Sequence, residues 1–130
     1  MSPGLGRIMV ASRVLLVEDE MLIRSVVADE LREQGYEVIE AETGDEAAAL
    51  LEHESFDLLL TDVRMPGKLD GIDLALRARR LRPKLPVLVV SGYAEQISAR
   101  LRNLKAPMEF VAKPFAMGRI LGSIKSLTAS

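Results

Sequence analysis

The chain has 130 residues, 48% hydrophobic and 28% charged, with 17 basic residues against 19 acidic ones. That is the size and balance of a single soluble domain that buries roughly two-thirds of its unfolded surface without disulfides or structural metal. Cysteine is absent and histidine occurs once, at His53, which excludes thiolate metal sites, cysteine nucleophiles and His-based metal clusters. A net charge of −2 argues against direct nucleic-acid binding, no apolar run approaches the roughly 20 residues of a membrane span, and a cytoplasmic protein is expected.

Residues 1–12, with Pro3, Gly4 and Gly6, read as a flexible leader, and the folded domain is expected over 13–130. The β-branched run 14–17 is the first expected strand. A helix over 21–34 follows, setting Ile23, Val26, Val27 and Leu31 on one face and ending before Gly35, where a left-handed cap belongs. After a second strand at 37–41, Thr43 with Glu46 three residues on is a capping box for a helix packed through Ala47, Leu50 and Leu51. His53 falls at the end of that helix, where a surface cation suits the dipole. A third strand covers 57–61. The third helix, 70–81, sets Leu74, Ala78 and Leu81 in register and stops before Pro83; its basic residues Arg77, Arg79, Arg80, Arg82 and Lys84 read as a solvated face. A strand at 87–90 and a helix at 94–104, using Ile97, Leu101 and Leu104, come next. The chain closes with a strand at 109–112 and a helix at 115–127 built on Met117, Ile120, Leu121, Ile124 and Leu127.

Near-continuous apolar strands alternating with single helices imply the α/β class, a doubly wound (βα)5 domain whose parallel sheet is covered on both faces. In such sheets the functional groups gather beyond the C-terminal strand ends. The first strand is followed by Glu18-Asp19-Glu20, the third by Asp62, the fourth by Ser91-Gly92 and the fifth by Lys113-Pro114. Carboxylates crowded together repel unless a cation joins them, and an all-oxygen set suits a hard ion such as Mg2+ that also takes phosphate oxygens. Lys113 adds a positive charge suited to a phosphoryl group. Neither a GxxxxGK[ST] loop nor a GxGxxG turn is present to cradle a nucleotide, so a carboxylate that itself accepts the phosphoryl group is the simpler reading.

These residues resemble the receiver domain of bacterial two-component response regulators. The resemblance rests on Val14-Leu15-Leu16-Val17-Glu18-Asp19-Glu20, on 57–67 with Asp62 followed by Met65-Pro66-Gly67, on Val90-Ser91-Gly92 and on Lys113-Pro114-Phe115, and it covers about 13–127. The four motifs occur in order, with Asp19 to Asp62 spanning 43 residues, Asp62 to Ser91 29, and Ser91 to Lys113 22. The resemblance implies a flavodoxin-like five-stranded parallel sheet in the order 2-1-3-4-5. It implies that Asp62 becomes an aspartyl phosphate by attack on the phosphohistidine of a sensor or hybrid histidine kinase. Asp19 and Asp62 would hold Mg2+ directly, Glu18 through water, with the Arg64 backbone carbonyl completing the protein ligands. Lys113 would hold a phosphoryl oxygen, Ser91 would turn toward the new charge, and Phe110 would move with it. An unidentified downstream protein, or a second copy of the chain, would then bind the surface of the fourth helix, fifth strand and fifth helix. The Ser91-Gly92-Tyr93 and Lys113-Pro114-Phe115 runs look like receivers associated with hybrid kinases, and the family suggests a cis Lys113-Pro114 peptide.

The chain departs from the family pattern at three places: Glu18 stands where Asp is commoner, the 65–71 segment is one residue longer than usual, and Phe110 lacks a hydroxyl. Two other readings remain open. One is a Mg2+-dependent phosphatase of small substrates with an aspartyl-phosphate intermediate, although Arg64 occupies the place of its usual second Asp. The other is a receiver-like docking module that is never phosphorylated. Taken singly, Glu18–Glu20 could complement a helix dipole, Ser91 could form a turn and Phe110 could be an ordinary strand aromatic.

Overall fold

Five short strands form one parallel sheet, in which the inner runs of β-branched and leucine residues are apolar on both faces and need a helix layer on either side, while the edge runs 37–41 and 108–112 stay partly exposed. The computed structural model describes residues 12–129, so the expected leader, Ser12 apart, lies outside the described residues. Strands β1 (Arg13–Val17), β2 (Glu37–Ala41), β3 (Leu58–Asp62), β4 (Val87–Ser91) and β5 (Met108–Ala112) alternate with helices α1 (Met21–Glu33), α2 (Gly44–His53), α3 (Gly71–Leu81), α4 (Ala94–Leu101) and α5 (Met117–Thr128). The sheet order is β2-β1-β3-β4-β5, as expected. Ser12 already takes part, its carbonyl accepting the Glu37 N–H at 3.0 Å. Among the described residues no helix is long and apolar enough to cross a membrane.

Alternate strand residues build two core layers. Leu15, Val17, Leu59, Val87 and Val89 pack with α2 and α3 side chains such as Leu51, Ile72 and Leu74. Val14, Leu16, Leu58, Leu60 and Leu88 pack with Val27 and Leu31 of α1 and Ile120 and Ile124 of α5. Every residue of β3 and β4 is buried, which leaves their C-terminal ends few directions in which to shift. The order reverses between β1 and β3, so the crevice of this sheet opens beside the ends of these two strands.

Local signals explain the helix ends. Gly35, at φ +94, closes α1 in a Schellman arrangement, with the Tyr36 N–H on the Leu31 carbonyl at 3.1 Å and the Gly35 N–H on Arg32 at 3.0 Å. Thr43 Oγ1 caps α2 by accepting the Glu46 N–H at 3.0 Å, while the Glu46 carboxylate reaches back one residue further than the usual box, to the Glu42 N–H at 2.6 Å. Asp70 does not begin α3; it caps it, accepting the Ile72 and Asp73 N–H groups at 3.0 and 2.9 Å. Asp73 completes that box on the Asp70 N–H.

Several boundaries and faces differ from expectation. α4 stops at Leu101, because the next turn tightens through Asn103-to-Arg100 and Leu104-to-Leu101 bonds and still buries Leu104. α5 starts two residues late, after the cis Lys113-Pro114 peptide; Ala106-Pro107 is also cis. Val26 is 58% exposed and Leu81 49% exposed. Periodicity put both on packing faces, but α1 shares only one flank with α5, and Leu81 ends its helix beside an open groove of Phe56, Pro83 and Pro86.

Beyond β3 the chain turns out over the N-terminus of α2, with Gly67 at φ +102 and the Lys68 N–H on Asp45 Oδ2 at 3.3 Å, and returns at Gly71. The Gly71 N–H bonds the Val63 carbonyl at 2.8 Å, and its α carbon presses so closely on the Asp62 carbonyl that a methyl group there would overlap it. Gly71→Ala should therefore lose about 3 kcal/mol of stability or fail to fold, read as a urea midpoint; a midpoint equal to wild type would mean that this junction yields freely.

Asp70 is the second element of that junction. Burial acts to raise its carboxyl, but Arg100 and the Asp73 N–H outweigh it and hold it below the ordinary carboxylate range. A depressed folded value stabilises the fold above the unfolded value and loses that contribution as pH falls through the folded one. Asp70→Asn, which keeps the cap but not the charge facing Arg100, should cost about 1 kcal/mol at pH 7. Urea titrations should show this difference shrinking below about pH 4; a difference constant with pH would refute the ionic origin.

Candidate functional site

Four strand ends deliver polar groups to one rim. Glu18 and Asp19 follow β1, Asp62 is the last residue of β3, Ser91 the last of β4, and Lys113 follows β5. Asp62 and Ser91 thus belong to their strands, one residue further along than the expected strand ends. One carboxylate oxygen from each of Glu18, Asp19 and Asp62 lies within 4.8 Å of the other two. An all-oxygen set at this spacing fits a hard divalent cation that keeps several waters.

Lys113 ties the group together. Its Nζ donates to Asp62 Oδ2 at 2.9 Å and to Glu18 Oε1 at 3.0 Å. The other Asp62 oxygen accepts the Val63 N–H at 2.7 Å, and the other Glu18 oxygen accepts the Glu20 N–H at 3.1 Å. Burial pushes the Glu18 carboxyl above its ordinary range, the bonds from Lys113 and Glu20 pull it back, and the Asp62 charge adds to the rise. For Lys113, burial acts downward, but the bonds to Asp62 and Glu18 win and raise the ammonium, which stays charged at neutral pH. Arg24 of α1 fixes the Glu18 backbone by donating to its carbonyl at 2.6 Å.

The residues divide by depth. Asp19, Asp62 and Lys113 line an open cleft of about 510 Å³ together with Glu20, Arg64, Gly92 and Tyr93. Glu18 is buried beneath it and reaches the group through Lys113. The Ser91 hydroxyl does not bond Asp62. It is buried and accepts the Tyr93 N–H at 3.0 Å, closing the turn into α4. Phe110 stands apart from the carboxylates, half-buried on β5 against the core layer shared with Ile97 of α4. Sequence reasoning placed Arg64 through its carbonyl alone, whereas its guanidinium lies over the Tyr93 ring, 4.0 Å from the centroid, and roofs part of the cleft. Nothing in the local pattern pairs these two residues, because they come from different loops.

Next to the cleft, Lys113 also lines an apolar groove of about 550 Å³ formed by Leu22, Ile23 and Val26 of α1 with Pro114, Phe115 and Met117. Leu22 is 77% exposed.

Residues 14–125 match the family model described as the response regulator receiver domain. The chain is 38% identical over 120 residues to the transcriptional regulatory protein PdtaR of Mycobacterium tuberculosis, covering 89% of this chain and 56% of that protein, so it spans about half the length of that relative. It resembles the solved receiver domain of the hybrid histidine kinase CckA, with 37% identity, a TM-score of 0.76, and 89% of this chain and 98% of that one covered. It also resembles response regulator TrrA of Thermotoga maritima, solved in complex with Mg2+-BeF, with 30% identity, a TM-score of 0.80, and 89% and 98% of the two chains covered. The strand order, the motif spacing and the family match agree: this chain belongs to the response regulator receiver domain family of two-component signalling.

Proposed function

We propose that this chain is a phosphoryl-accepting switch in which Asp62 takes its phosphoryl group from the phosphohistidine of a sensor or hybrid histidine kinase. The observation that carries this reading is the convergence of three carboxylates and one paired lysine at the sheet's switch point. One Asp62 oxygen attacks phosphorus while the P–N bond breaks and its electron pair returns to the imidazole. A carboxylate nucleophile brings no hydroxyl proton that must be removed, so the transfer needs no general base on this chain.

Asp19, Asp62 and the Arg64 carbonyl would hold Mg2+, with Glu18 acting through water from below. The bound ion supplies charge neutralisation for the phosphoryl oxygens. Lys113 lets go of one carboxylate and takes a phosphoryl oxygen. The aspartyl phosphate carries roughly −1.5 to −2 charges. Ser91 meets that charge by turning its hydroxyl from the Tyr93 turn, and Phe110 follows by repacking on the α4 side. The surface of α4, β5 and α5 then changes for a downstream protein or a second copy of the chain. Slow autodephosphorylation resets the switch, and the reaction belongs in the cytoplasm. A small-substrate phosphatase would want a second carboxylate two residues after the nucleophile; Arg64 is there, stacked on Tyr93.

The donor protein covers the apolar groove beside the cleft, a placement supported by Lys113, which lines both. The direct test is intact-mass analysis after incubation with Mg2+ and acetyl phosphate. Wild type should gain one phosphoryl group, while Asp62→Asn, or wild type with excess chelator, should gain none; equal labelling of Asp62→Asn would end this reading. Leu22→Arg should slow transfer from a cognate kinase by about tenfold or more, as expected when an exposed apolar anchor is lost, and leave labelling by acetyl phosphate within about twofold. Equal slowing with both donors would place the effect on the chemistry and remove the docking role.

A further inference from the structure

α4 is held to the domain by few contacts. Only Ile97 of its eight residues is buried, against five residues in α3, and its N-cap residue Tyr93 makes no side-chain capping bond. Its polar tie is Arg100, whose guanidinium forks onto Asp70 and also reaches Asp73: Nη1 donates to Asp70 Oδ2 at 2.6 Å, and Nη2 to Asp70 Oδ1 at 2.9 Å and Asp73 Oδ1 at 3.2 Å. Among the described residues these are the ion pairs that α4 makes. A bidentate guanidinium–carboxylate pair fixes direction as well as distance, which a lysine cannot do.

The acceptor is itself immobile. Asp70 caps α3 through Ile72 and Asp73, and the following Gly71 is bonded to Val63 and pressed against the Asp62 carbonyl. A continuous set of short contacts therefore runs from the backbone of Asp62 through Gly71 and Asp70 to Arg100. We propose that Arg100 is a positioning residue, a latch that sets α4 against the chain segment leaving Asp62 and determines how far α4 responds when Asp62 is modified. The second half of this statement rests on the phosphoryl-acceptor reading; the first half does not.

Backbone hydrogen exchange on the full chain separates the two. Arg100→Gln keeps the Asp70 cap, alters a half-exposed side chain and leaves the Asp62 cleft untouched. Without any ligand, the amides of α4 should exchange about fivefold faster than in wild type, Arg100→Lys should fall between, and the amides of β3 and the first turn of α3 should not change. With Mg2+ and beryllofluoride, wild type should alter its α4 exchange and Arg100→Gln should lose most of that alteration. Unchanged α4 exchange in unliganded Arg100→Gln overturns the latch. Faster exchange together with a full beryllofluoride response overturns the coupling. If beryllofluoride alters nothing in wild type, the phosphoryl-acceptor reading and the coupling built on it fail, and the latch is judged on the unliganded comparison alone.

Discussion

The two hydrogen bonds from Lys113 make the rim possible. Glu18 and Asp62 are almost wholly buried, and two carboxylates in that position repel each other and lose their hydration. The ammonium between them offsets both costs while remaining partly solvated, at 20% side-chain exposure. Lys113 follows the edge strand β5 and reaches both carboxylates with its long side chain. The same edge position leaves Lys113 lining both the cleft and the apolar groove, so the residue that neutralises the site also marks its approach.

Around that interaction the molecule divides into stiff and soft parts. β3 and β4 are buried throughout, and the return of the chain at Gly71 leaves no room even for a methyl group. Asp62 thus projects from a backbone fixed on both sides, and its carboxylate keeps a set direction through the Val63 N–H. α4 shows the opposite character, with one buried side chain and a solvent-facing ion pair. On the proposed phosphoryl-acceptor reading, a fixed Asp62 and a weakly anchored α4 are the pairing that turns a local change of charge into a change of surface.

Much of this was legible in the sequence, since strands covered on both faces write their burial as continuous apolar runs. The four polar strand ends could be located to within one residue for the same reason. Gly35 was readable because only a positive φ demands it there. What escaped depends on partners distant in the chain. Val26 and Leu81 satisfy helical periodicity, yet periodicity says which side chains share a face and not whether another element covers it. Asp70 looked like the first residue of a helix. Its role as cap and as acceptor for Arg100, 30 residues on, needs the fold to be seen. The Arg64–Tyr93 stack likewise belongs to the meeting of two loops, which strand patterns do not encode, whereas the Ser91–Tyr93 turn is local and was legible at Ser91.

The same topology places the solitary histidine. His53 ends α2, and in a right-handed β-α-β unit the helix runs back to the sheet edge where the next strand begins. Asp62 lies at the other end of that next strand, so the two are separated by roughly the length of a five-residue strand, about 16 Å. A helix packed through Ala47, Ala48 and Leu51 cannot swing its last residue across that distance without unfolding. The fold therefore holds His53 away from Asp62. On the proposed phosphoryl transfer between proteins, a surface is needed to hold the imidazole in line with Asp62 before any bond is made, and the groove of α1 and Phe115 lies beside that cleft.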